Sequence, residues 1–194
     1  SHLKWVDDTV RGGSMFYDQM DYGHTSAIYQ RHSYRAGNWS NVSSAKRTFG
    51  HYNMNLYWQK RYAAGQTISV RTDMQLSSTQ YLPGSEEFYI GGMYSVRGYK
   101  ESLLGGDSGI SGSLEYSMPL ASRDWSAYMF WDRGCVWGRS AFDDNDLDSV
   151  GCGIKASLGN HMSLNLNVGF PLLKEINGAI QSKARVHFSC TSQF

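Results

Sequence analysis

The segment of residues 86–120, EEFYIGGMYSVRGYKESLLGGDSGISGSLEYSMPL, holds the groups in this chain whose types and spacing could carry chemistry. Its GDSG sequence includes Ser108, and such a sequence surrounds the nucleophilic serine of some peptidases. That mechanism also needs a histidine base oriented by an aspartate, and an oxyanion hole. None of the six histidines lies in the sequence context of such a base, and Ile110 stands where those enzymes have a second glycine. The sequence therefore predicts no catalytic residue.

The histidines do not form a metal site by their spacing either. They occupy positions 2, 24, 32, 51, 161 and 187, so they provide no close-spaced ligand pair of the kind that zinc sites use. The net charge is +1, which gives no bulk attraction toward nucleic acid or an anionic surface. We predict a protein that is not an enzyme, and that needs no metal, no cofactor and no nucleic acid.

The elements that position these groups follow from a residue-by-residue alternation. In residues 162–172 one face is apolar and the other small or polar, with the apolar face formed by Met162, Leu164, Leu166, Val168, Phe170 and Leu172. A period of two predicts a β-strand. The same pattern predicts strands near 25–35, 48–60, 67–77, 108–120, 125–137, 149–158, 162–172 and 183–194, and residues 3–17 form a further candidate that alternates less clearly.

Two fold classes have this alternation: a water-soluble β-sandwich or barrel, and a transmembrane β-barrel. The polar faces carry Arg71, Asp73 and Glu115 beside many Asn and Ser residues, which suits a wet lumen. The segments run to about ten or eleven residues, the length that a tilted strand needs to cross a bilayer, whereas strands of soluble folds average about five or six. No apolar run is long enough for a transmembrane helix. The membrane barrel is favoured.

The connections between the predicted strands alternate in length. Residues 63–66, 121–124 and 159–160 form tight turns, whereas residues 35–47, 78–107, 138–148 and 174–182 form longer loops. Short periplasmic turns and long extracellular loops are typical of outer-membrane barrels. We predict an all-β antiparallel meander over residues 1–194, with about eight strands and a long functional loop at about 78–107. The chain opens Ser-His-Leu-Lys-Trp without a signal peptide, which indicates a mature product or a fragment.

Two motifs in this frame identify a family by resemblance. The long loop contains Val96, Arg97, Gly98 and Tyr99, and a later strand contains Phe130, Asp132 and Gly134 in the pattern Phe-x-Asp-x-Gly. Together with the alternating C-terminus, they resemble the two-partner secretion transporters of Gram-negative outer membranes, whose wider family includes the barrel-assembly insertases. In that family the Val-Arg-Gly-Tyr element lies at the tip of a loop that folds back into the barrel, where its arginine meets the aspartate of the strand motif.

The resemblance implies a function and a setting. It implies the C-terminal half of a sixteen-stranded barrel that follows periplasmic domains and a plug helix, and that passes an unfolded adhesin or haemolysin from periplasm to surface. The implied partners are the exoprotein, outer-membrane lipid and lipopolysaccharide, and the barrel assembly machinery during insertion. A passive porin and a barrel-assembly insertase remain alternatives. Arg97 and Asp132 form either a gate or a structural latch, and both interpretations stay open.

The size of the barrel follows from the loop. Side chains nearly fill an eight-stranded barrel, so a loop of about thirty residues fits only inside a larger one. We therefore expect a part of a larger barrel, whose first and last strands pair with strands outside this chain. The final strand carries Phe188 and ends in Phe194, which resembles the C-terminal signal for insertion into the outer membrane. Arg133 falls on the lipid side of its strand, so we expect it near the outer rim or a bulge.

A disulfide between Cys135 and Cys152 is the last expectation. If the hairpin is symmetric around Asp143 and Asp144, the two cysteines lie opposite each other on the outward face. Cys190 lies on the last strand and should be a free thiol. The alternative is that Cys135 and Cys152 are two small apolar residues on a lipid-facing surface, because the register could differ by two residues.

Overall fold

A computed structural model of the chain describes residues 9–41, 44–120, 124–138, 145–159 and 162–192. Its long strands are β1 (Thr9–Tyr22), β2 (Ser26–Asn41), β3 (Ser44–Arg61), β4 (Thr67–Ser77), β7 (Ser108–Pro119), β8 (Trp125–Trp137), β9 (Asp146–Leu158), β10 (Met162–Pro171) and β13 (Arg185–Ser192). Short strands lie in two of the connections: β5 (Phe88–Ile90), β6 (Leu104–Gly106), β11 (Glu175–Ile176) and β12 (Ala179–Ile180). A single 3₁₀ turn covers Gly84–Glu86.

The long strands form one antiparallel meander in the order β1-β2-β3-β4-β7-β8-β9-β10-β13. This confirms the predicted fold class, with nine long strands over the described residues where about eight were predicted. The further candidate at residues 3–17 is a strand, but it covers Thr9–Tyr22. Over the described residues β1 does not pair with β13, so the sheet stays open along both edges.

The alternation gives the sheet two different faces. The convex, outward face exposes large apolar side chains, among them Leu76, Ile110, Leu114, Met129, Trp131, Val150, Ile154, Leu166, Phe170 and Phe188. The concave, inward face carries buried polar groups, among them Gln75, Ser111, Ser113, Asp132, Ser149, Asn167 and His187. A transmembrane barrel needs this distribution, because lipid contacts one face and the other lines a polar lumen. Across the part of the chain that the structure describes, no helix is long and apolar enough to cross a membrane.

One predicted loop is wrong. Residues 35–47 were expected to form one of the longer loops, but β2 extends to Asn41 and β3 begins at Ser44. The small residues belong to the ladder instead, where Gly37 pairs with Phe49 on one side and with Gly12 on the other. A Cβ atom on Gly37 would lie 2.3 Å from the carbonyl oxygen of Arg11. Glycine here reflects close approach of neighbouring strands rather than a turn.

The long loop folds back onto the concave face and forms the core there. Its short hairpin β5–β6 lies against the inner wall. Fully or nearly buried apolar side chains join the loop, the wall and the β11–β12 hairpin into one cluster, formed by Ile90, Val96, Tyr99, Leu104, Val136, Leu147 and Ile176. Burial of apolar side chains stabilises such a cluster by about 1.5–3 kcal/mol for each large side chain. The apolar core of this sheet therefore lies under the loop.

The base of the loop is held by the residues of the GDSG sequence. The Asp107 carboxylate accepts hydrogen bonds from the backbone N–H groups of Tyr81, at 2.9 Å, and Leu82, at 2.7 Å. The Ser108 hydroxyl accepts a hydrogen bond of 2.9 Å from the backbone N–H of Ser77. Both side chains are buried. These two residues therefore anchor the backbone at the start and the end of the loop.

The predicted disulfide is wrong. The ladder between β8 and β9 pairs Cys135 with Asp146 and Met129 with Cys152, so the two cysteines are not opposed. The hairpin centre lies midway between positions 135 and 146, earlier than the predicted tip, because β9 begins at Asp146 rather than at residue 149. The predicted tip residues, Asp143 and Asp144, lie outside the described residues. All three cysteines are free thiols.

Arg133 lies on the outward face close to the loop end of its hairpin. Its side chain is 60% exposed and its Nη2 atom lies 3.9 Å from the Asp146 carboxylate, at the first residue of β9. The Trp131 indole N–H donates a hydrogen bond of 2.7 Å to Asp148 on the same face. This polar group at the end of the hairpin agrees with the expected place of Arg133 near the outer rim.

Alkylation of the protein in denaturant without reductant tests the three thiols. Because the register separates Cys135 from Cys152, mass spectrometry should find three modified cysteines. A parallel sample that is reduced first should give the same mass. A single modified cysteine in the unreduced sample would show that the two strands pair in a different register.

Candidate functional site

The candidate site is the loop tip, which we define as Val96, Arg97, Gly98 and Tyr99, together with the inner wall that it contacts. All four residues are buried. Gly98 has a φ angle of +94°, and a Cβ atom on it would lie 2.9 Å from the carbonyl carbon of Gly169 on β10. Only glycine combines this left-handed backbone with so close an approach. The tip therefore reaches the wall backbone to backbone.

Arg97 binds Asp132 in a two-pronged contact. The Nε and Nη2 atoms of the guanidinium each donate a hydrogen bond of 2.7 Å, to Oδ2 and Oδ1 of the carboxylate. The backbone N–H of Arg97 donates a third hydrogen bond of 3.0 Å to Oδ2. Asp132 is 0% exposed and Arg97 is 6% exposed. The planar fork of arginine matches a carboxylate in this geometry, whereas lysine offers a single point charge.

The remaining guanidinium N–H groups meet a second set of partners on β7. Nη2 donates to the Ser113 hydroxyl at 2.9 Å, and Nη1 donates to the Glu115 carboxylate at 3.3 Å. Glu115 also pairs with Lys155 of β9. Asp132, Arg97, Glu115 and Lys155 thus form a chain of alternating charges, in which the buried Asp132 and the half-buried Glu115 each have a cationic partner.

Sequence reasoning placed Glu115 on the lumen side, but it did not connect Glu115, Ser113 or Lys155 to the tip. The signal is in the register, because Ser113 lies directly opposite Asp132 across the β7–β8 ladder. Shared parity showed that these side chains face the lumen, and only the pairing of strands shows that they meet.

Each residue of the Phe-x-Asp-x-Gly motif contacts the tip. The Arg97 guanidinium carbon lies 3.4 Å from the centroid of the Phe130 ring, so the ring covers one side of the cation. At the other end of the motif, a Cβ atom on Gly134 would lie 3.0 Å from Val96 Cγ2. Gly134 therefore leaves the space that Val96 occupies. The aromatic and acidic positions of the motif thus contact Arg97, and the small position makes room for Val96.

Gly98 and Tyr99 extend the contact to further strands. The Tyr99 hydroxyl donates a hydrogen bond of 2.8 Å to the backbone carbonyl of Asp148 on β9, and it accepts one of 3.3 Å from the backbone N–H of Leu173. The backbone N–H of Gly98 donates to Nε2 of His187 on β13, at 3.2 Å. Neither His187 nor Leu173 was identified from the sequence.

The electrostatics keep the tip charged. Burial lowers the pKa of Arg97, but the hydrogen bonds and charges of Asp132, with a contribution from Glu115, outweigh it, so the pKa of Arg97 is raised above its ordinary value. The Arg97 guanidinium therefore stays positively charged where it is bound to the wall. Among the described residues, no group of three or more His, Cys, Asp or Glu side chains could hold a metal ion.

Two other predicted site residues lie away from the tip. Phe188 is on the outward face, 63% exposed, and pairs with Leu166 across the β10–β13 ladder. Phe194, the other part of the expected C-terminal insertion signal, lies outside the described residues. That signal stays a prediction.

Comparison with known proteins gives the family. The family model described as haemolysin secretion/activation protein ShlB/FhaC/HecB matches residues 4–156. The outer membrane transporter CdiB-2 of Burkholderia pseudomallei strain 1026b is 34% identical over 111 residues, which are 54% of this chain and 19% of that protein. The outer membrane protein assembly factor BamA of Neisseria meningitidis serogroup B is 33% identical over 91 residues, which are 38% of this chain and 11% of that protein.

The fold has a solved counterpart. The structure of CdiB from Acinetobacter baumannii aligns with a TM-score of 0.79 at 22% identity, and the alignment covers 95% of this chain and 34% of that one. The chain thus spans about a third of the solved structure and smaller parts of the two curated relatives. The family predicted from the two motifs is confirmed: the chain belongs to the haemolysin secretion/activation protein family, ShlB/FhaC/HecB, and to the outer membrane.

Proposed function

We propose that this chain is the C-terminal half of a transporter barrel that passes a large unfolded exoprotein, of the adhesin or haemolysin type, from periplasm to cell surface. The observation that carries the proposal is that Arg97, at the tip of the long loop, docks on Asp132 of the wall in a chain of this family. The arrangement contains no group placed for covalent chemistry: Arg97, Asp132 and Glu115 neutralise one another. The site holds a loop in a passage.

The open sheet supports a barrel larger than this chain. The loop occupies the concave face, and β1 and β13 both keep a free hydrogen-bonding edge over the described residues. If the nine strands closed into a barrel by themselves, their own inward side chains would nearly fill the interior. Strands from outside residues 1–194 therefore complete the wall, and the loop then lies beside a passage rather than in place of one.

The inner surface beside the loop tip suits an extended polypeptide. A polar cavity of about 290 Å³ lies there, lined in part by Tyr57, Arg71, Tyr94, Glu115, Lys155 and Asn165. An unfolded chain in transit exposes backbone N–H and C=O groups that need partners. Hydroxyl, amide and charged groups of both signs provide them without selecting one cargo sequence.

The latch interpretation follows from the burial of the pair. Removal of one partner of a buried ion pair costs about 3–5 kcal/mol, because the other charge is left without compensation. Arg97 and Asp132 thus favour the docked loop strongly. In our proposal this latch keeps the loop in one position while cargo passes, and a gate would in addition release it in each cycle.

The insertase is the second candidate, because the chain resembles BamA of Neisseria meningitidis over 91 residues. Depletion separates the two functions. Loss of a secretion transporter should abolish export of one exoprotein and leave other outer-membrane barrels at normal levels. Loss of an insertase should lower those barrels generally. A passive porin would show steady single-channel conductance without export. It would need neither the Val-Arg-Gly-Tyr element nor the Phe-x-Asp-x-Gly motif.

The partners follow from the two faces of the sheet. We propose that the outward apolar side chains contact membrane lipid and that the rim near Arg133 contacts lipopolysaccharide. We also propose that the barrel assembly machinery inserts the chain, with Phe188 and Phe194 as its recognition signal.

Replacement of Arg97 tests the latch. Arg97→Ala leaves the buried Asp132 carboxylate without its cation, so export of the exoprotein encoded beside the transporter should fall about tenfold or more. Secreted exoprotein is measured against the heat-modifiable, folded barrel in the outer membrane. Arg31→Ala is the matched control, since Arg31 pairs with Asp18 on the same inner surface at 2.7 Å. Normal export by Arg97→Ala would refute the latch.

Gly169 tests whether the tip must touch the wall. In Gly169→Ala the new Cβ would lie 2.5 Å from the Gly98 nitrogen and 2.8 Å from the Arg97 carbonyl carbon. Overpacking of this kind costs about 1–3 kcal/mol, which should undock the tip and increase protease cleavage of the loop in whole cells. Gly13→Ala, where a Cβ meets nothing within 4 Å, is the control. Equal loop cleavage in the two variants would contradict the close contact.

A further inference from the structure

His187 is a wall residue whose ring contacts the loop tip. It lies on β13, the edge strand of the described sheet, with its ring on the concave face and 8% exposed. Its Nε2 atom lies 3.2 Å from the backbone nitrogen of Gly98, inside the loop tip. The ladder places it opposite Asn167 of β10. One imidazole therefore connects the tip to the strand farthest from the base of the loop.

The direction of this hydrogen bond fixes the state of the ring. A backbone N–H can only donate, so Nε2 must accept, and an imidazole nitrogen accepts only when the ring is neutral with its proton on the other nitrogen. That proton then lies on Nδ1, which is 4.0 Å from Oε1 of Glu101. A protonated ring would place an N–H against the Gly98 N–H, and the hydrogen bond would be lost.

The Gly98 amide depends on this acceptor. Gly98 is buried, and a buried backbone N–H without a partner destabilises the conformation that buries it. The neighbouring Arg97 N–H has its own acceptor in Asp132. Gly98 also lies against the backbone of Gly169 and against Pro171, which closes that side to a larger polar group. His187 is the side chain that reaches the amide.

We propose that His187 is a positioning residue that holds the loop tip on β13 through its neutral imidazole, and that its protonation releases this end of the tip. This inference rests on the proposed transport function, because it describes how the same loop is held. It adds a second attachment to the latch, on the opposite side of the tip from Ser113 and Glu115. The arginine attachment is permanently charged, whereas the histidine attachment responds to pH.

Charged groups of the loop, β8 and β13 act on the ring, whereas β10 places the uncharged Asn167 opposite it. They are Glu101 and Arg97 of the loop, Asp132 of β8 and Arg185 of β13. Burial of the ring and the two arginines oppose a positive charge on it, and the two carboxylates favour one. The sign of the pH effect follows from the hydrogen bond: it is present while the ring is neutral, and it is lost as the pH falls through the range in which the imidazole titrates, which is near 6.5 for an unperturbed ring.

Hydrogen–deuterium exchange of the full-length protein in detergent tests this attachment directly. His187→Leu removes the acceptor, so the Gly98 amide should exchange about tenfold faster or more. The Arg97 amide, which donates to Asp132, is the internal reference and should stay protected. His187→Gln offers an amide oxygen at a similar reach and should restore protection. Unchanged Gly98 exchange in His187→Leu would overturn the proposal.

The pH profile separates positioning from a merely structural role. After correction for intrinsic exchange, protection of Gly98 should fall below about pH 6.5 in the wild type and stay level in His187→Gln. His51, whose Nε2 lies 3.1 Å from Glu86 near the base of the loop, is the matched control histidine. A pH effect that persists in His187→Gln and disappears in His51→Gln would assign it to the base of the loop and overturn the proposal.

Export of the exoprotein, measured in the same variants, separates the transport proposal from the His187 proposal. Absence of any exported cargo from the wild type would refute transport and leave the exchange result standing. Slower Gly98 exchange in the wild type than in His187→Leu would support the attachment whatever the cargo.

Discussion

A carboxylate that is completely buried in the wall, Asp132, is the constraint on which the rest of the site depends. A buried charge needs a partner of opposite sign and further hydrogen bonds, because desolvation otherwise outweighs any gain. Among the residues that the structure describes, no cation of the wall is paired with it; the Arg97 side chain and backbone, which belong to the long loop, donate three hydrogen bonds to it. The wall is therefore electrostatically complete only with the loop folded inward, and the open curvature of the sheet leaves room for the loop.

Small residues make the pairing geometrically possible. A guanidinium side chain can reach Asp132 in two prongs only if the loop backbone comes close to the wall, and this happens where Gly98 faces Gly169 and Val96 faces Gly134. Apolar side chains of the loop then bury against Val136 and Leu147 of the wall. Charge pairing sets the position of the tip, and apolar burial beside it stabilises the rest of the loop on the wall. The two effects support the same conformation.

The sequence predicted the features that depend on the two-residue period of a strand and on the two motifs. It failed to predict the features that depend on how neighbouring strands pair. Alternation assigned Leu166 and Phe170 to the outward face and Asn167 to the inward face, because a strand's period of two needs no partner. The loop expected at 35–47 was wrong, because Gly and Asn residues there satisfy close strand contacts rather than turns. The disulfide was wrong for a related reason, since register is a property of two paired strands and cannot be read from either strand alone. Ser113, Glu115 and His187 became identifiable only once the register brought them to the tip.

The docked tip touches side chains or backbone of five strands, through Glu115 of β7, Asp132 of β8, Asp148 of β9, Gly169 of β10 and His187 of β13. Loss of any one of these contacts does not undock the tip, because the backbone between Val96 and Tyr99 is short and the remaining contacts hold it against the wall. Release of Arg97 alone would leave the tip held by Tyr99 and His187, and the stranded charge would remain buried. In the proposed transport cycle, the loop therefore moves as one unit or not at all. A passage beside a fixed loop needs none of these contacts to break, and this favours a structural latch over a gate that opens in each cycle.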